Sequence, residues 1–135
     1  MTAKKTIYII RHGETDYNKR GIIQGSGIDS DLNETGQKQA EQFYKAYHHI
    51  RFDRIYTSEL KRTKQSVSKF IEAGHSIEPI AEFNEINWGK FEGLKGTPDS
   101  FKEYKAMTDD WKAGLLDRSV ERGETPNELQ RRQKR

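Results

Sequence analysis

At 135 residues the chain has room for one domain, and no apolar run approaches the roughly 18 residues that a membrane span needs. Its 24 basic and 21 acidic residues are interspersed to a net charge of +3, a mixed surface rather than the basic field of a nucleic-acid binder. Cysteine is absent, which excludes disulfides and thiolate metal sites and fits a reducing compartment.

Thr6 to Ile10 is a β-branched and aromatic run bounded by charge and predicts a short buried strand. Met1 to Lys5 leads straight into it without the features of a signal peptide, so a soluble, cytoplasmic protein is expected. Arg11 to Leu32 has no helical period and carries Gly13, Gly21, Gly25 and Gly27, the signature of a long loop, and long ordered loops are often functional. Asn33 is the expected N-cap of a helix running to about His48. Ala40, Phe43, Tyr44 and Tyr47 form its apolar stripe, which should pack on a sheet. Asp53 to Thr57 predicts a second strand. Ser58 then caps a helix to about Glu72 with Leu60, Val67, Phe70 and Ile71 apolar, and Ile77 to Ile80 makes a third strand. Strand and helix alternating in this way predict parallel βαβ units and an α/β class.

A second irregular stretch runs from Ala81 through Gly96. Thr97 and Pro98 open another helix, with Phe101, Tyr104, Met107 and Trp111 at near-helical spacing. Thr125-Pro126-Asn127-Glu128 is a capping box that starts a final helix, and the basic end, Gln130 to Arg135, is expected to be solvated. Leu, Ile, Val and Phe number only 26 of 135, and only two are valines, fewer than buried parallel strands normally carry. The last helix has one apolar residue, Leu129, and no strand to return to. The expectation is a domain incomplete at its C-terminus.

Ligands of open α/β sheets bind beyond the carboxyl ends of the strands, where Arg11 and His12 stand. An arginine fork supplies fixed charge for a phosphate, a neutral imidazole supplies a nucleophile that can leave again, and Gly13 lets backbone approach the ligand. Arg62, one turn beyond Ser58, sits on the same rim and could clamp the same anion. Glu85, in the stretch after the third strand, is the carboxyl best placed to protonate a leaving oxygen. His48 and His49 close the first long helix and His75 lies in a turn, so all three are expected at the surface; the adjacent pair lacks metal-ligand spacing.

Arg11-His12-Gly13-Glu14-Thr15-Asp16-Tyr17-Asn18 closely resembles the Arg-His-Gly-Glu-[Thr/Ser]-x-x-Asn signature of the histidine phosphatase superfamily. Further matches follow in order: Gln24-Gly25, Leu32 to Gly36 with Gln39-Ala40, and Ser58 to Thr63. Glu85 with Trp88-Gly89, Glu92-Gly93 and Gly123-Glu124-Thr125 complete them, so the resemblance spans essentially the whole chain. It implies a three-layer α/β/α fold with a mainly parallel sheet, phosphoglycerate-mutase-like, in a single domain over residues 1–135.

The resemblance further implies that His12 attacks phosphorus and becomes phosphohistidine. Arg11 and Arg62 would hold the transferring oxygens, and Asn18 would add a hydrogen bond. Glu85 would act as acid and then base, and Gln24, Gly25 and Trp88 would line the substrate pocket. No metal or other cofactor is expected, because phosphoryl transfer is mostly positioning and charge stabilisation. The family has a second catalytic histidine, on a strand after the helix beginning at Gly-Glu-Thr, and the resemblance implies that it would fall beyond Arg135. The short interval between Glu85 and Gly123 favours a phosphatase of small-molecule phosphate esters, with mutase-type transfer as the alternative. A different class of reading is an inactive phosphoester-binding or structural remnant, poorly active and either self-associating through an exposed sheet edge or unstable. A nucleic-acid module is the weakest reading, resting on the basic end and a pI near 9.0.

Overall fold

Two short parallel strands, β1 (Ile55–Thr57) and β2 (Ile77–Pro79), form the sheet of the computed structural model, which describes residues 2–135. They pair in register Ile55 to Ile77, Tyr56 to Glu78 and Thr57 to Pro79. The crossover between them is helical, so the expected βαβ unit and α/β class are present. Among the described residues no helix is long and apolar enough to cross a membrane.

Thr6 to Ile10 departs from expectation. It forms no strand, and Ile7 and Ile9 are 79% and 91% exposed. A strand exists only through its ladder, and β1 pairs with β2 alone, so an apolar pattern without a partner stays an extended segment. Tyr8, though exposed, stands edge-on to Tyr47 and Phe52 with ring centroids 5.8 and 5.4 Å away.

The loop after it holds one turn of helix, α1 (Asp16–Lys19), closed by a reciprocal cap. Thr15 Oγ1 accepts from Asn18 N at 3.2 Å, and Asn18 Oδ1 accepts from Thr15 N at 3.0 Å. Four residues are too few to show a helical period. The next helix, α2 (Glu34–Tyr47), is capped by Asn33 as expected, its side chain accepting from Gly36 N at 2.9 Å. Its stripe meets helices rather than a sheet: Phe43 and Tyr44 pack on Phe70, which is 1% exposed.

The helix expected from Ser58 to Glu72 is two, α3 (Lys61–Ser66) and α4 (Ser68–Glu72), broken at Val67, whose φ of −119° is not helical. Ser66 Oγ donates to the Arg62 carbonyl at 2.6 Å, a back-bond that bends helices. Ser58 is not the N-cap. Leu60 is, and Ser58 Oγ accepts from Leu60 N at 3.2 Å while bonding Thr63 Oγ1 at 2.8 Å.

Beyond two single-turn 3-10 helices at Ala81–Phe83 and Gly89–Phe91 come α5 (Pro98–Lys112) and α6 (Pro126–Gln133), each opened by the expected threonine and proline; the capping box expected at Thr125 is present, and Thr97 forms one as well. Phe91, Met107 and Val120 form a second core, to which Ile23, Trp88 and Trp111 are packed.

Candidate active site

Close backbone contact places the histidine loop. A Cβ on Gly13 would lie 2.7 Å from the Gly36 carbonyl oxygen, and one on Gly36 would meet the Glu14 backbone, so glycine at both lets the loop rest on the first turn of α2. Hydrogen bonds hold it there: Asn33 N donates to the Glu14 carbonyl at 3.0 Å, Asn33 Nδ2 to Glu14 Oε1 at 2.9 Å, and Glu14 N to Gln39 Oε1 at 2.8 Å. On the other side Gly13 N donates to Ser66 Oγ at 2.9 Å, tying the loop to the turn that carries Arg62.

His12 is half-buried, and its Nδ1 lies 2.7 Å from the Gly13 carbonyl oxygen. A carbonyl only accepts, so Nδ1 carries the proton and Nε2 presents a free lone pair. Burial of the ring holds its pKa below the ordinary 6.5. The positive charges of Arg62 and Arg11 push the same way, while the Gly13 bond and the Glu85 carboxylate oppose. The imidazole is therefore neutral at pH 7.

Arg62 is fully buried at 0% exposure. Its Nη1 donates to the Ile28 carbonyl at 2.6 Å, and its Nη2 to the Gly25 carbonyl at 3.2 Å and Glu85 Oε2 at 3.0 Å. Nε is buried without a partner. A guanidinium has five N–H donors, so at least one remains for an oxyanion. Glu85 is more open, its side chain 38% exposed.

His12, Arg62 and Glu85 thus share one neighbourhood, with Arg11 on its exposed side. The remaining expected residues stand around it in different ways. Asn18 is half-buried, with its Oδ1 in the α1 cap and its Nδ2 not engaged there. Gln24 is buried, Nε2 donating to Thr15 Oγ1 at 2.8 Å and Oε1 accepting from Ser30 Oγ at 2.7 Å, so both ends of its amide are occupied. Gly25 lends its carbonyl to Arg62. A Cβ there would come within 3.0 Å of the Trp88 ring, and Trp88 itself packs in the second core, stacked 6.2 Å from Trp111.

Several positions carry contacts that the sequence alone does not assign. Thr15 is completely buried at the junction of Asn18 and Gln24, and Ser66 links Gly13 to Arg62. Spacing could have flagged Ser66, one helical turn beyond Arg62 on the same face. The basic end is exposed as expected at Gln130, Arg131, Gln133, Lys134 and Arg135, but Arg132 departs from it, partly buried and paired with Glu124. His48 and His49 are exposed, but His75 is half-buried, its ring centroid 5.7 Å from that of Phe70. A cleft of about 520 Å³ lined by Ser26, Asn84, Asn87, Arg122 and Arg132 includes neither His12 nor Arg62, though it borders the segment that carries Glu85.

A family model described as the histidine phosphatase superfamily (branch 1) matches residues 7–135. A fructose-2,6-bisphosphatase TIGAR of Xenopus tropicalis is 40% identical over 78 residues, covering 58% of this chain and 28% of that protein. A probable phosphoglycerate mutase GpmB of Klebsiella pneumoniae is 33% identical over 131 residues, 93% of this chain and 58% of its own. Among solved structures, the alpha-ribazole phosphatase of Shigella flexneri superposes with a TM-score of 0.72 at 25% identity, covering 91% of this chain and 60% of that one. The chain therefore spans less than two thirds of each of these relatives.

Proposed function

Because the chain belongs to the histidine phosphatase superfamily (branch 1), we propose that it serves a phosphomonoester phosphatase that works through a phosphohistidine on His12. The observation that carries this reading is the His12 ring itself: Nδ1 is committed to the Gly13 carbonyl, and Nε2 is left neutral and nucleophilic beside a buried arginine. Arg62 and Arg11 take the equatorial oxygens, and Asn18 Nδ2 adds a hydrogen bond. Gln24, Gly25 and Trp88 act beneath the pocket. Gln24 ties their loop to Thr15 and Ser30, and the Gly25 carbonyl orients Arg62.

The chemistry balances as two displacements. His12 Nε2 bonds to phosphorus as the ester P–O bond breaks, and the leaving oxygen takes the proton of the Glu85 carboxyl. Water then attacks the phosphohistidine, giving its proton to the Glu85 carboxylate, and His12 and inorganic phosphate are released. The substrate class is a small-molecule phosphate ester, and the setting cytoplasmic. Relatives named as phosphatases support hydrolysis, and a mutase-named relative along 93% of the chain supports the second reading, transfer between phosphoglycerates.

Phosphate release from p-nitrophenyl phosphate tests the proposal. Loss of one charge-stabilising group costs about 10² to 10³ in rate, so Arg62→Ala should fall by that factor and His12→Ala to background. Undiminished turnover in His12→Ala would refute it, and interconversion of phosphoglycerates without net hydrolysis would transfer the assignment to the mutase reading.

The unpaired apolar segment at Ile7 to Ile10 supports a further element of the reading, pairing with a second copy of the chain. Sedimentation should show a concentration-dependent dimer that Ile9→Lys dissociates. A monomer at all concentrations would exclude it.

A further inference from the structure

The fork of Arg132 is spent on the segment that carries Glu85. Nη1 donates to the Glu82 carbonyl at 2.5 Å, and Nη2 donates to the Asn84 carbonyl at 2.7 Å and, more distantly, to that of Glu85 at 3.4 Å. The same guanidinium grips Glu124 with both edges, Nε to Oε1 at 2.6 Å and Nη2 to Oε2 at 3.1 Å. Glu124 closes the clamp on the far side of Glu85: its N–H donates to the Asn87 carbonyl at 2.8 Å and its Oε2 accepts from Asn87 N at 3.2 Å. Backbone carbonyls before Glu85 and both backbone groups of Asn87 are therefore held by one mostly buried ion pair, with side chains 22% and 14% exposed.

No helix or strand of its own holds this segment. Its 3-10 turn ends at Phe83, and residues from Asn84 to Trp88 lie outside regular structure. The other ties run from Asn84 N to the Ala81 carbonyl, Glu59 N to Asn84 Oδ1, Ser26 N to the Ile86 carbonyl, Gly89 N to Asn87 Oδ1 and Phe91 N to the Trp88 carbonyl, with the Glu85 side chain itself on Arg62. A planar fork can satisfy several carbonyls in one geometry, which an ammonium on a flexible stem does not.

We propose that Arg132, braced by Glu124, is a positioning residue for Glu85: it fixes the backbone from Glu82 to Asn87 so that the carboxyl stays within reach of Arg62 and the phosphoryl group. The inference rests on the acid–base role given to Glu85 above. Arg132 lies at the end of α6 and itself touches no reacting atom.

The test has two arms on the full chain, comparing wild type, Arg132→Ala and Arg132→Lys. In the first, amide hydrogen exchange is followed without substrate. Arg132→Ala should speed exchange at Asn87 by about tenfold or more and leave Gly13, held by Ser66, unchanged. Equal acceleration at both sites would mean that Arg132 only stabilises the fold and would overturn the proposal.

In the second arm, kcat is measured on an alkyl phosphate, whose leaving oxygen needs a proton, and on p-nitrophenyl phosphate, whose leaving group does not. General acids contribute about 10² to 10⁴ in rate, so Arg132→Ala and Glu85→Gln should both lose far more on the alkyl ester, with Arg132→Lys in between. Equal losses on the two esters in Arg132→Ala would overturn it. A wild-type chain that released no phosphate would defeat the phosphatase reading by itself, and the exchange arm would still decide whether Arg132 holds Glu85.

Discussion

Gly13 and Ser66 are joined by one hydrogen bond, N to Oγ at 2.9 Å, and through it the histidine loop is fixed to the helical turn that carries Arg62. The serine hydroxyl donates in turn to the Arg62 carbonyl at 2.6 Å, so nucleophile and phosphate clamp share one buried relay. Neither partner is exposed, which makes the bond costly to break.

Ser66→Ala should therefore leave the Gly13 N–H buried and unpaired. The expected loss is about 1–3 kcal/mol, visible as a lower urea midpoint with an unchanged m-value. Activity should fall as well, since His12 immediately precedes Gly13. A change in stability under about 0.5 kcal/mol, the range of an ordinary surface substitution, would show that the relay is not structural.

The contact between Gly13 and Gly36 makes a steric prediction. Gly36 sits in the first turn of α2, where alanine would normally be preferred. Its Cβ would meet Glu14 N at 2.8 Å, with the Glu14 carbonyl nearer still. Gly36→Ala should cost about 1–3 kcal/mol through overpacking, while Gly96→Ala, with open space around it, should be nearly neutral or slightly stabilising. Thermal melts of the two variants check this, and equal melting temperatures would contradict it.

The pH dependence follows from His12. Burial of the ring, helped by Arg62 and Arg11, places its pKa in the folded chain below the 6.5 of the free side chain. Between those two values the unfolded chain binds more protons, so stability from this group is complete above pH 6.5 and is lost as pH falls from there through the folded pKa. Urea midpoints of the native chain should drop over that window more steeply than those of His12→Gln, which has no such proton to bind. The acid limb of kcat/KM should likewise lie below pH 6.5. A limb above 6.5, or parallel stability profiles, would contradict the assignment.

Much of the fold was legible where structure is local. Asn33, Thr97 and Thr125 announce their helices because a cap needs only its next three residues. The break at Val67 was hidden, because Ser66 bends its helix while serving a loop 53 residues away. Thr6 to Ile10 has a strand's pattern, but pairing is a property of neighbours, and β1 and β2 do not supply it.

At the site, Arg62 and Glu85 were readable from the strand-end rule, since each follows a real strand. Gln24 was not, because a residue type says nothing of whether its amide faces a pocket or a buried threonine. Arg132 was misread for a related reason. Its partner Glu124 is eight residues away, beyond the reach of i,i+4 spacing, and its carbonyl acceptors lie near residue 84.

The most direct test of the account is capture of the phosphoenzyme. The chain is mixed with a phosphomonoester labelled in its phosphoryl group, quenched in alkali within milliseconds, and mapped by mass spectrometry. The account predicts one acid-labile phosphate on His12, absent from His12→Ala. Label on another residue, or the same labelling in His12→Ala, would contradict it.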